Sequence, residues 1–173
     1  QDVVITGADD SLTVACAADD FQFKIEGTHA GANGSSLVFH RSSSSPADND
    51  VIGNVEFIGY DDGGGNHVYG KIAVSAVDVS AGAEQGKMEL QVAEFDGTTT
   101  TGLALEGLAS NGNITVDIST HDGSAGGLKL GGTLVTSDAS ELNLLDGSSA
   151  GTVVNSKAVI YGSSGEVRSS KLE

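Results

Sequence analysis

The sequence predicts an all-β chain with one very short helix, and three observations carry that prediction. Residues 36–95 contain strand-length runs in which one side-chain set alternates with another, as in Val55, Phe57 and Gly59 against Glu56, Ile58 and Tyr60. Such period-two patterning sends the two sets to opposite faces of a sheet. The runs are separated by Asp61-Asp62-Gly63-Gly64-Gly65-Asn66 and Ser80-Ala81-Gly82-Ala83-Glu84-Gln85-Gly86, residues that accept the backbone conformations of tight turns. The apolar residues are mostly Val, Leu, Ile and Ala, with no Trp and 5% aromatics, a composition that suits thin β structure better than a thick core.

Taken in order, residues 1–20 form an expected N-terminal β segment, with Val3–Thr6 and Leu12–Ala15 as its strands. Cys16 stands alone and reads as a small apolar residue, since it has no partner within the chain for a disulfide. Residues 21–95 are the expected meander, a knob-like module. Phe21, Phe23 and Ile25 open it on one face, and Ile72, Val74 and Ala76, then Met88, Leu90 and Val92, continue it. The junction falls at residues 96–101, DGTTTT. Residues 96–135 are expected to be a shaft of short β-rungs, because Leu103–Leu105, Ile114–Ile118 and Leu128–Leu130 are brief alternating runs bordered by Gly or Asn. In residues 136–173 a short helix precedes a C-terminal hairpin. Asp138 and Glu141 have capping-box spacing, Leu142 and Leu145 fall on one helical face, and Gly147 ends the turn. The hairpin pairs Lys157–Tyr161 with Gly165–Arg168.

Two stretches carry a resemblance. Leu37–Arg41, Ser45–Gly53, Val55–Gly59, Tyr69–Ile72 and Gly86–Leu90 resemble a module of bacteriophage tail fibres and related appendages. Thr136–Gly147, with Glu141-Leu142-Asn143-Leu144-Leu145-Asp146-Gly147, is similar to a short element that recurs in such fibres. Together they cover roughly residues 21–162. Neither stretch is catalytic, so the resemblance implies a structural fibre protein of a phage or virus-like particle, located on the virion as an extracellular appendage that presents a host-attachment surface. The narrow apolar faces agree with an elongated, intertwined homotrimer, with Leu142 and Leu145 at its axis.

The formal net charge is −16, from 24 Asp and Glu against 8 Lys and Arg. That balance disfavours nucleic acid and anionic headgroups, and no run approaches the length of a membrane helix. The partners that the resemblance implies are further copies of the chain, other virion proteins and a host surface glycan. The chain begins at Gln1 and is expected to be processed or part of a longer polypeptide that continues beyond its C-terminus.

Catalysis is not expected. The four histidines, His29, His40, His67 and His121, have no metal-ligand spacing, the serines suggest no nucleophile elbow, and the acidic pairs Asp9-Asp10, Asp19-Asp20 and Asp61-Asp62 read as turn caps. No cofactor is expected. Calcium is a candidate through Asp48, Asp50, Asp61 and Asp62, although two or three ligands fall short of the usual six to eight. Tyr60, His67 and Tyr69, around the Gly-rich turn, are the candidate binding residues for a glycan. Two alternatives stand beside the fibre: a monomeric carbohydrate-binding or polysaccharide-hydrolysing β domain, and a cell-surface or matrix filament assembled head to tail.

Overall fold

The computed structural model describes residues 12–15, 23–28, 30–109 and 112–168. The chain divides into two units, Gln1–His40 and Arg41–Glu173. In the first, none of the described residues belongs to a helix or strand. The strands expected at Val3–Thr6, the residues Phe21 and Gln22, and Cys16 lie outside the described residues. Leu12–Ala15 and Phe23–Ile25 are described and make no strand, and neither do Leu37–Phe39. Apolar alternation gives a run a face but supplies no partner, and a strand needs a ladder of hydrogen bonds to a neighbour.

The second unit is organised by a five-stranded antiparallel sheet in the order β1-β2-β3-β4-β5. Its strands are β1 (Val51–Tyr60), β2 (Asn66–Asp78), β3 (Gln85–Ala93), β4 (Thr99–Gly107) and β5 (Ile114–Asp117). The meander is thus as expected, but it runs on through the expected junction. Thr99–Thr101 pair with Ala93, Val92 and Gln91 of β3, so β4 and β5 extend the sheet where separate rungs were expected. A Thr-rich run shows no apolar alternation, yet β-branched threonine fits a pleated strand well.

Register explains the sheet's two faces. Directly opposed residues share a face, and the pairings align Val55, Ile72, Leu90 and Leu103 in one row and Val74, Met88, Leu105 and Val116 in the next. The other face carries Glu56 against Lys71 at 3.3 Å and Lys87 against Glu89 at 3.0 Å. There the Thr101 hydroxyl donates to Glu89 at 3.0 Å and the Gln91 amide donates to Thr101 at 3.3 Å. Partial burial opposes the charge of Glu89, but the Lys87 ammonium and the Thr101 hydroxyl outweigh it and hold the carboxyl below its ordinary range. Extra residues at Tyr69 and Gly102 shift the register without exchanging the faces of the central rows.

Among the described residues of the second unit, no helix and no strand of another sheet packs on the apolar rows. Among the described residues the one buried hydrophobic side chain is Ala104, at 7% exposure, and its register partners Glu89 and Asp117 place it on the polar face.

The turn before β1 is a clamp. Asn49 N–H donates to the Ala76 carbonyl at 2.6 Å, Ala76 N–H donates to Asp50 at 2.9 Å, and Val79 N–H donates to the Asp48 carboxylate at 3.0 Å. Arg41 closes it, bridging to Asp50 at 3.0 Å and donating to the Val51 carbonyl. After β5, the pair β6 (Lys129–Leu130) and β7 (Thr133–Leu134) forms a two-stranded hairpin. Its two linking residues, Gly131 and Gly132, both have positive φ, 57° and 85°, the turn that glycine enters without steric cost.

The helix α1 (Ala139–Leu142) is a single turn with both halves of its capping box. Glu141 N–H donates to Asp138 at 2.8 Å, and Asp138 N–H donates back to Glu141 at 3.2 Å. The C-terminal hairpin is corrected. The turn at Gly162–Glu166 exists, with Gly162 N–H on the Glu166 carbonyl at 2.8 Å, but the arms do not pair with each other. Gly151 enters between them, donating to Ile160 at 2.8 Å and accepting from Arg168 at 2.7 Å. Interior glycine permits that close approach: a Cβ on Gly151 would stand 3.4 Å from Gly162 Cα.

The loop before β6 is packed against an imidazole. Gly127 has φ of 122°, and a Cβ there would enter the His121 ring. Gly127→Ala is expected to destabilise the chain by about 1–3 kcal/mol, whereas Gly34→Ala, where a Cβ meets open space, changes stability little. Urea unfolding of the two variants beside the parent measures the difference.

Candidate functional site

A meander puts alternate turns at the same end of a sheet. The β1–β2 turn and the β3–β4 turn therefore meet, and between them lies a shallow depression of about 280 Å³ lined by Asp61, His67, Tyr69, Glu94, Phe95 and Gly97, among others. Asp61 organises it. Its carboxylate accepts from Gly65 N–H at 2.7 Å and contacts His67 Nε2 at 3.0 Å. The Gly65 amide first, and then the His67 ring, lower the carboxyl below its ordinary range. A Cβ at Gly65 would sit 3.1 Å from that carboxylate, so the turn closes over Asp61 because residue 65 has no side chain.

His67 also meets Tyr69 edge to face, with ring centroids 6.4 Å apart. The Tyr69 ring lies over Gly59, where a Cβ would stand 3.1 Å away, and its hydroxyl reaches the Tyr60 carbonyl at 3.4 Å. Of the three expected binding residues, His67 and Tyr69 are thus brought into contact. Tyr60 joins through its backbone, and its ring is exposed.

Phe95, Glu94 and Asp96 are the members that sequence reasoning missed. Phe95 is fully exposed at the turn that follows β3. No motif marks them: their place follows from the β1–β4 meander, which sets the β3–β4 turn beside the β1–β2 turn. Flat rings beside carboxylates and an imidazole supply stacking faces and hydrogen-bond acceptors to a polyhydroxylated ligand.

Three of the four expected calcium residues are engaged elsewhere. Asp50 accepts from Ala47 N–H at 2.9 Å and pairs with Arg41, Asp48 caps Val79, and Asp61 holds Gly65 and His67. Among the described residues no group of three or more His, Cys, Asp or Glu side chains is placed to hold a metal ion. Asp9, Asp10, Asp19, Asp20 and His29 lie outside the described residues.

One serine does have elbow spacing, since Gly147-Ser148-Ser149-Ala150-Gly151 matches G-x-S-x-G. Ser149 is nevertheless part of a tight turn, with Thr152 N–H on its carbonyl at 3.1 Å. A nucleophile elbow joins a strand to a helix, and neither flanks residue 149.

A second, larger hollow of about 480 Å³ lies between β5 and α1, lined by Val116, Ile118, His121, Leu128, Val135 and Leu142, among others. His121 props it open: its Nδ1 accepts from Leu128 N–H at 3.3 Å and its Nε2 lies 3.1 Å from the Ser137 carbonyl. Leu142 and Leu145, the residues expected at a trimer axis, are both exposed, and Leu142 lines this hollow.

No family model, curated protein or solved structure matches the chain.

Beside this hollow the Asp122 carboxylate accepts from the amides of Ala125, Ser124 and Gly126, at 2.8, 2.8 and 3.1 Å, which lower its pKa from 3.8 to about 2. A folded-state value below the unfolded one contributes stability that is present above the unfolded value and lost as pH falls through the folded one. The parent is therefore expected to lose stability from about pH 4 down to about pH 2. Asp122→Ala is expected to flatten part of that loss, and thermal unfolding followed across the window reads the difference in slope.

Proposed function

We propose that the chain is a structural subunit of a phage or virus-like particle, assembled with two further copies of itself into an appendage on the virion. In this reading it contacts neighbouring virion proteins and presents the end of its sheet, with Tyr60, His67 and Tyr69, to a glycan on the host surface. Its role is mechanical, with no catalytic residue and no cofactor.

The observation that carries the reading is the uncovered sheet. The elements of the second unit pair strand with strand, no further element among the described residues of that unit packs on the apolar rows, and Ala104 is the one buried hydrophobic among the described residues. Each large apolar side chain left in water forfeits roughly 1.5–3 kcal/mol, while a whole domain is stable by only about 5–15 kcal/mol. A chain built this way gains its stability in company. The resemblance of the runs between Leu37 and Leu90, and of Thr136–Gly147, to fibre elements favours the same reading, and the strong negative charge favours a soluble exterior.

The exposed rings of Tyr60, Tyr69 and Phe95 favour a second reading, a monomeric carbohydrate-binding β domain. Light scattering behind a sizing column, with viscometry, separates the two. The fibre subunit is expected at three times the chain mass of 17.3 kDa, with a hydrodynamic radius above that of a compact particle of equal mass. A compact monomer contradicts it and leaves the binding domain in first place.

A further inference from the structure

We propose that the apolar face of the β1–β5 sheet is the surface on which further copies of this chain dock, each bringing the same face. The proposal rests on the reading of the chain as a self-associating subunit and assigns the surface it uses.

The register defines that face without ambiguity. From Gly53 on β1 to Val116 on β5 its positions are Gly, Ala, Val, Ile, Leu, Met, Phe and a single Thr, and none is charged. Several of its side chains stand far into solvent: Val92 is 61% exposed, Val116 66% and Ile114 69%. Scattered exposed apolar residues are ordinary on any protein surface, but a contiguous apolar patch of this kind marks an interaction site.

Size and charge select the occupant. Five strands about 4.8 Å apart, averaging about nine residues at 3.3 Å each, give a face of about 700 Å² in projection. Side-chain relief raises the accessible area towards the roughly 800 Å² that each partner contributes to a stable interface. A second copy presents the same area and the same chemistry. It also carries the same net charge of −16, so approach through most of its surface sets carboxylate against carboxylate. On this sheet the charged pairs Glu56–Lys71 and Lys87–Glu89 lie on the opposite face. The apolar face therefore brings two acidic chains together with the charges turned outward. Symmetric association is the common outcome for such a self-complementary patch.

The test is sedimentation equilibrium of the full chain beside four variants, with circular dichroism confirming strand content. Val92→Lys and Val116→Lys add a charge to exposed positions of the apolar face, and Ser75→Asp adds one to the polar face opposite Lys87. Both lysine variants are expected to weaken self-association by at least about tenfold, and Ser75→Asp by less than about twofold. Leu90→Ala shrinks the face without a charge and is expected to weaken association several-fold, which keeps the test open where a lysine variant fails to fold. Variants that associate as tightly as the parent overturn the assignment of this face and leave the fibre reading standing. A parent that is monomeric overturns both. If that monomer also fails to bind anilinonaphthalene sulfonate, the occupant is a segment of its own chain.

Discussion

The antiparallel pairing that joins each strand from β1 through β5 to the next is the interaction on which the rest of this structure depends. Because side chains alternate with period two, a slip of one residue would send Val55, Ile72, Leu90 and Leu103 to the face that carries Lys71, Lys87 and Glu89. The observed register separates the two chemistries. It gathers ion pairs and hydroxyl networks on one side, where water and mutual hydrogen bonds satisfy them, and leaves the central rows of the other side apolar but for Thr100. A sheet sorted this way has its cross-strand contacts complete and its hydrophobic burial unfinished.

The acidic composition has a second meaning in this light. Many of the aspartates are turn anchors: Asp48 caps Val79, Asp61 caps Gly65, Asp78 caps Ser80 at 2.7 Å, Asp96 caps Thr98 at 2.9 Å, and Asp138 caps Glu141. Each carboxylate takes a backbone N–H that a tight turn leaves without a ladder partner. The surface charge and the turn geometry thus come from the same residues. At the Asp61 turn this anchoring does one thing more, since it fixes His67 beside Tyr69 and shapes the depression shared with Phe95.

Local patterns were legible in the sequence, and pairing partners were not. The alternation in Val55–Phe57, Ile72–Ala76 and Met88–Val92 announced strands, and the turn residues between them announced a meander. The Asp138–Glu141 spacing announced a capped turn of helix. Thr99–Thr101 concealed the start of β4, because a polar run lacks the apolar half of the pattern even where its backbone pairs. Phe23–Ile25 and Leu37–Phe39 alternate or cluster as strands do, yet nothing in such a pattern says whether a neighbour will supply hydrogen bonds. The C-terminal turn was readable from its glycines, whereas the insertion of Gly151 between its arms depends on a contact across more than ten residues. Phe95 was likewise hidden, since its place in the site follows from topology and not from any motif around it.

If other copies complete the folding of this chain, as proposed, unfolding depends on chain concentration, and that dependence is the most direct test. Where only the assembled form is stable, mass action links the unfolding midpoint to concentration. Urea unfolding at equilibrium over about a hundredfold range of concentration is predicted to show a midpoint that rises steadily with concentration. A midpoint that stays fixed across that range would contradict the account, because it would mean that a single chain already buries all it needs.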